Sequence, residues 1–251
     1  MSVLAIIGGS GFAALPGLEV EESRPVETRY GATSASLIRG LLNGQPLCFL
    51  ARHGAEHRLA PHRINYRANI QALVDAGCSS VVALGAVGGI HPSCPPGTLC
   101  VPDQLIDYTY GRVQSFYNDE ADGVCHVDFS EPYSPVLRQQ LIAAAAVAET
   151  PLYEGGTYGV SQGPRLETAA EIRRMARDGC DLVGMTAMPE AALARERDLD
   201  YATLAFVVNW GAGLSDEAIT MDAINEQIGC CADAIGRLLA VFAEQRAALS
   251  G

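Results

Sequence analysis

The sequence predicts one α/β domain, a central sheet flanked by helices, and three features carry that reading. Short continuous apolar runs recur at Val3 to Ile7, Leu47 to Ala51, Val81 to Leu84 and Tyr201 to Val208. Runs of that length, bounded by turn residues, read as strands buried on both faces. Longer segments with helical spacing alternate with them, among them Ile64 to Ala76, Val136 to Ala148 and Thr220 to Leu249. No linker, repeat or low-complexity stretch interrupts the 251 residues, a length normal for one large α/β domain, so residues 1–251 are taken as a single unit.

Composition narrows the function. Hydrophobic residues make up 49% of the chain and charged residues 18%, ample material for a core. A formal net charge of -12 argues against nucleic acid or an anionic membrane as partner, but a local nest of Arg, His and backbone N–H can still hold a small anion. No apolar run reaches the roughly 18 residues of a membrane span. The first residues lack the basic region of a signal peptide and read as a strand. The eight cysteines form no C-x-x-C pair. With so large a core they are expected to be mostly buried thiols of a cytoplasmic protein.

The strands end in chemistry. Val3 to Ile7 runs into Gly8-Gly9-Ser10-Gly11, which reads equally as a tight turn or as an anion cradle with the Ser10 hydroxyl as an extra donor. The third glycine of a dinucleotide fingerprint is missing. Leu47 to Ala51 ends in Arg52-His53-Gly54, which suits a phosphate or else amounts to a surface Arg and a structurally bonded His. His53, His57 and His62 lack a convergent carboxylate, so no metal is expected. Val81 to Leu84 meets the small-residue stretch Gly85 to Gly89, expected to be a turn. Leu99 to Ile106 reads as one longer strand. The aromatic-rich segment Asp107 to Pro135 reads as an irregular loop of the kind that serves a site or an interface.

The stretch from Ser161 to Glu190 organises the rest. Glu154 to Val160 is a strand leading into it, and Ala169 to Cys180 is a helix, with Thr168 and Glu171 as a capping box. Asp181 to Val183 is a short strand. Loops at the ends of two neighbouring strands would bring Glu167, Met185 and Thr186 to one crevice, where open α/β sheets bind ligands. Pro189 to Arg195 begins another helix, and Asn209 to Gly213 is the loop ending the Tyr201 strand. On the residues alone, Asn209 is a turn residue and His126 a structural one.

Five ordered motifs carry a resemblance: Ile7 to Gly11, Arg52-His53, Asn65-Tyr66-Arg67-Ala68-Asn69, Gly163 to Thr168, and Met185 to Glu190. Together they resemble the trimeric purine nucleoside phosphorylases, and more closely the methylthioadenosine/methylthioinosine phosphorylase branch. Gln114 to Tyr117 and Gly123 to His126 are also similar to that branch. The resemblance spans about Val3 to Met221. It implies a mixed sheet flanked by helices and reversible phosphorolysis of a purine nucleoside. Phosphate is then both co-substrate and nucleophile, so no cofactor, metal or catalytic triad is implied.

The resemblance also implies roles. Ser10, Arg52, His53, Thr186 and the backbone N–H near Ala86 would hold phosphate. Met185 would pack on the ribose, and Asn209 would stabilise the leaving purine at N7. Met221 would line the 5′-methylthio pocket, and His126 would reach in from a neighbouring subunit of a homotrimer. Glu167 offers a carboxylate to the N1–H of a 6-oxopurine. In the methylthioadenosine-specific branch that position is usually Ser, Asn209 is Asp, and Gly211 is a second Asp. The expected substrate is therefore 5′-methylthioinosine, with methylthioadenosine the nearest competitor. A general inosine/guanosine phosphorylase, a hydrolytic nucleosidase and a non-catalytic purine-binding protein are the other readings. Leu166 replaces a Phe that stacks on the base in many relatives, Gly85 replaces a Thr or Asn, and the C-terminal tail is shorter. These departures bear on affinity and 5′ discrimination more than on reaction class.

Overall fold

The computed structural model describes residues 3–117 and 123–250. The chain opens with β1 (Val3–Gly8), β2 (Leu18–Arg24), the short pair β3 (Glu27–Thr28) and β4 (Gly31–Ala32), then β5 (Leu37–Leu42) and β6 (Gln45–Ala51). After α1 (Tyr66–Asp75) come β7 (Cys78–Gly89), β8 (Leu99–Val101) and β9 (Gln104–Asp107). The second half holds α2 (Pro135–Val147), β10 (Leu152–Glu154), β11 (Thr157–Val160), α3 (Ala169–Arg177), β12 (Leu182–Gly184), α4 (Ala187–Arg195), β13 (Asp200–Trp210) and α5 (Met221–Ser250).

One mixed sheet of 11 strands, among the described residues, runs in the order β10-β8-β13-β7-β1-β6-β5-β2, with β12 joined to β7 and β11 and β9 beyond it. The central strands β13, β7, β1 and β6 are mutually parallel, so their carboxyl ends lie along one edge. Side-chain alternation splits the core in two. Ala5, Ile7, Cys48, Leu50, Val81, Ala83, Ala205 and Val207 pack with α1 and α4. Leu4, Ile6, Phe49, Val82, Leu84, Leu204 and Phe206 pack with α2 and α5 on the other face. This is why the central strands read as unbroken apolar runs. All eight cysteines are free thiols and most are buried.

Several expectations need correction. Gly85 to Gly89 is not a turn: it continues β7, paired with β13 as far as Gly89 and Trp210. Asn209 likewise belongs to β13 rather than to the loop after it. Leu99 to Ile106 is two strands, broken at Pro102-Asp103, because a proline cannot donate to a sheet ladder. Glu154 to Val160 is likewise two, separated by Gly155 and Gly156, both at positive φ. β2 carries no buried residue, so this edge strand left no apolar pattern to read. The aromatic segment after Asp107 is irregular as expected, and residues 118–122 within it lie outside the described residues.

The long β7 has a gap that matters for the site. Its pairing with β1 ends at Ala83, and its pairing with β12 begins at Gly88. Between those points that edge has no strand partner among the described residues. Leu84 and Ala86 lie in the gap.

Candidate active site

The carboxyl ends of β1 and β6 meet directly. Gly8 and Ala51 are register partners, and the Arg52 N–H donates to the Gly8 carbonyl at 2.9 Å. This places Ser10 beside Arg52 and His53. A Cβ on Gly9 would stand 3.1 Å from Arg52 Nη1 and run into the Leu84 carbonyl, so only glycine allows the turn to lie this close.

Arg52 is not the surface residue that one sequence reading allowed. It is 1% exposed. Its Nε and Nη2 donate to the Glu190 carboxylate at 2.7 and 2.8 Å, and Nη1 donates to the Leu84 carbonyl at 2.9 Å. Glu190, fully buried, also accepts from the Tyr201 hydroxyl at 2.8 Å. Burial opposes the charge on Arg52, but Glu190 outweighs it and the guanidinium's pKa is raised. A guanidinium has five N–H bonds. Those to Glu190 and Leu84 account for three, leaving one on each Nη.

His53 is buried, and its Nδ1 donates to the Leu59 carbonyl at 2.8 Å. Burial, then the positive charge of Arg52, then His57, push its pKa down to about 4. At neutral pH it is therefore an uncharged imidazole with Nε2 as an acceptor, suited to a phosphate O–H rather than to an ion pair. His57, outside the residues picked for the phosphate site, bonds Ser10 Oγ through Nε2 at 3.0 Å. Its ring centroid lies 4.8 Å from that of His53. Thr186 lies near the buried Tyr158 hydroxyl. The same hydroxyl occupies the space a Cβ on Gly184 would need. At Gly85 a Cβ would meet only ordinary contacts, so packing does not require glycine there.

A second group assembles where β11 and β12, parallel neighbours, end. The Ser161 N–H donates to the Gly184 carbonyl at 2.7 Å, and the Ser161 hydroxyl donates to Glu167 Oε1. Thr168 and Glu171 form the expected capping box at the start of α3, which fixes the chain just after Glu167. Met185 reaches back over Gly163, which sits at a φ of +61° and where a Cβ would collide with the Met185 sulfur. Asn209, near the end of β13, and Gly211, just after it, lie against the end of β7, where the Gly211 N–H donates to the Gly89 carbonyl at 2.8 Å. Asn209 Nδ2 lies 3.4 Å from where a Cβ on Gly88 would stand and donates to the Trp210 carbonyl at 2.7 Å. A Cβ on Gly211 would lie 3.1 Å from Ile172 of α3.

Glu167, Ser161 and Gly163 line a cavity of about 390 Å³ that continues past Asp107 and Tyr108. Leu166, 42% exposed, stands at the surface. Met221 is 63% exposed at the first turn of α5, and His126 is exposed in the irregular segment.

The family model described as the phosphorylase superfamily matches residues 3–244. The chain belongs to the phosphorylase superfamily. A probable S-methyl-5′-thioinosine phosphorylase of Pseudomonas syringae pv. tomato is 51% identical to it over 97% of this chain and 98% of that one. A 6-oxopurine nucleoside phosphorylase of Pyrococcus furiosus is 44% identical over 90% of this chain and 86% of that one. Among solved structures, a methylthioadenosine phosphorylase from Schistosoma mansoni in complex with adenine superposes with a TM-score of 0.95 at 32% identity, covering 99% of this chain and 93% of that one. The sequence-based family and fold assignments therefore hold, and this superfamily member is an enzyme of the pentosyltransferase class.

Sequence reasoning left several residues at this phosphorylase site without a role: Glu190, Tyr158, Ser161, His57 and Arg112. Glu190 did leave a signal. It is the lone charge in Ala187-Met188-Pro189-Glu190-Ala191-Ala192-Leu193-Ala194, and a carboxylate in so apolar a helix requires a buried partner. Arg112 sits in an irregular loop and left none. No helix among the described residues is long and apolar enough to cross a membrane.

Proposed function

We propose that this enzyme catalyses phosphorolysis of S-methyl-5′-thioinosine to hypoxanthine and 5-methylthioribose 1-phosphate. The observation that carries the base assignment is the Ser161–Glu167 contact. With Oε1 receiving the Ser161 hydroxyl, the other carboxylate oxygen is left to accept the N1–H of a 6-oxopurine. Adenine has no N1–H and would face that oxygen with a lone pair, leaving a buried group unpaired at a cost of about 1–3 kcal/mol. Gly211 supports the same reading, since a longer residue there meets Ile172.

In the reaction, a phosphate oxygen attacks C1′ while the C1′–N9 bond breaks and its electron pair passes into the purine, which takes up the proton that the phosphate gives up. Phosphate is held in the gap of β7 by the Ser10 and Thr186 hydroxyls, the Ala86 N–H, the remaining N–H bonds of Arg52, and His53 Nε2. Met185 covers the ribose face, and Asn209 donates to N7 as charge collects there. The step needs no group beyond the two substrates.

The 5′ end is assigned to Met221 and to His126 of a neighbouring copy in a homotrimer. Exposure supports this: Val124 is 83% exposed, two residues before His126, and Met221 is 63% exposed. Apolar side chains so placed gain by being covered. An apolar pocket favours a thiomethyl group over a hydroxyl, which separates this enzyme from a general inosine phosphorylase.

Release of hypoxanthine from methylthioinosine, followed with and without inorganic phosphate, tests the reaction. Turnover is expected to need phosphate and to yield the sugar phosphate in equal amount. Release of free methylthioribose at an undiminished rate without phosphate would mean hydrolysis instead.

A further inference from the structure

We infer that Arg112 is a positioning residue that sets the spacing of the two substrate loops. The inference rests on the phosphorolysis reading above. Arg112 lies in the irregular segment after β9, outside every helix and strand. Its guanidinium nonetheless reaches both loops that carry substrate-facing residues. Nη1 donates to the carbonyls of Met185 and Met188 at 2.8 and 2.6 Å. Nη2 donates to the carbonyls of Gln162 and Ser161 at 2.7 and 3.4 Å, and Nε donates to Gln162 Oε1 at 3.2 Å.

The pattern is specific in what it fixes. Met185 and Met188 bracket Thr186, so holding both carbonyls fixes the turn that aims the Met185 side chain. Ser161 carries the hydroxyl that orients Glu167, so holding its stretch of backbone fixes the base-reading carboxylate. Beyond the β11–β12 ladder, which closes with the Ser161–Gly184 backbone bond at 2.7 Å, this one planar fork ties together the two loops that follow those strands. Every acceptor is a neutral oxygen, three of the bonds at 2.6–2.8 Å, so the group acts by geometry rather than as half of an ion pair. Of the residues assigned to phosphate, only Thr186 lies in a loop that Arg112 holds; Ser10 and His53 receive none of these bonds, and Arg52 is held separately by Glu190. Loss of Arg112 is therefore expected to damage nucleoside recognition more than phosphate recognition.

A second feature makes the idea testable. Arg112 also lines a groove of about 260 Å³ with Asn65, Tyr66 and Arg67. Cutting back the side chain is expected to widen that groove into a route for a small planar cation.

The experiment uses the full chain and measures kcat, both KM values and the thermal midpoint for Arg112→Ala and Arg112→Lys. Displacing reacting groups by about 1 Å costs about 10²-fold, so Arg112→Ala is expected to lose roughly that in kcat/KM for the nucleoside, with the phosphate KM changed far less. Added guanidinium chloride at millimolar concentration is expected to restore part of the rate. Arg112→Lys, which keeps the charge but not the fork, should fall between. If Arg112→Ala does not fold, Arg112→Lys carries the same comparison. Wild-type constants in a folded variant would overturn the inference, as would equal losses for both substrates that follow the folded fraction and resist guanidinium. Nucleoside binding without phosphate, read from Trp210, the single tryptophan, separates the two claims. If wild-type turnover proves independent of phosphate, the reaction reading fails, while weaker binding by the variants still supports the role of Arg112.

Discussion

Glu190→Ala is expected to lower the unfolding free energy by about 3–5 kcal/mol, the usual cost of removing one member of a buried ion pair. The reason is local. Arg52 and Glu190 are both almost wholly shielded, at 2% and 0% side-chain exposure, and lie 2.7 Å apart. Without the carboxylate, a guanidinium charge is left in an apolar interior and the Tyr201 hydroxyl loses its acceptor. Glu190→Gln keeps the shape and one acceptor, so it should lose less. Urea unfolding at neutral pH measures both, and a loss below about 1 kcal/mol for the alanine variant, the scale of an exposed pair, would contradict the picture. The same substitution should raise the phosphate KM, because Glu190 holds Arg52 against Leu84 at the gap of β7.

Asn209→Ala is expected to lower kcat by roughly 10²–10³-fold, the usual effect of removing a donor aimed at developing charge. One N–H of its Nδ2 is spent on the Trp210 carbonyl at 2.7 Å. That bond fixes the amide and leaves the second N–H for the purine N7. Charge at N7 grows only as the C1′–N9 bond loosens, so the loss should fall on kcat with the nucleoside KM little changed. Steady-state kinetics at saturating phosphate give the split. A loss under ten-fold, or one confined to KM, would remove Asn209 from the leaving-group role.

The fold was legible wherever burial is two-sided. β1, β6, β7 and β13 are packed on both faces, so their sequences are near-continuous apolar runs. The edge strand β2 faces solvent along most of its length and left no pattern. Gly85 to Gly89 misled because glycines and alanines in a row resemble a turn. Here they let β7 continue between β13 and β12, where a Cβ on Gly88 would lie 3.1 Å from Val183. At the site, the family resemblance pointed to Ser10, Arg52, Glu167, Met185, Thr186 and Asn209. It could not bring out the supporting shell. The Arg52–Glu190 pair spans 138 positions and the Arg112–Met188 bond 76, and no local pattern encodes contacts that only the folded sheet creates. Glu190 was detectable as an isolated charge among alanines, whereas Arg112 is an ordinary loop arginine until the structure is seen.

Base identity is the central claim, and one comparison tests it most directly: kcat/KM for S-methyl-5′-thioinosine against S-methyl-5′-thioadenosine at saturating phosphate. A Glu167 carboxylate fixed by Ser161 predicts a preference for the inosine compound of about ten-fold or more, the equivalent of one unpaired buried group. Equal values, or a preference for the adenosine compound, would contradict it.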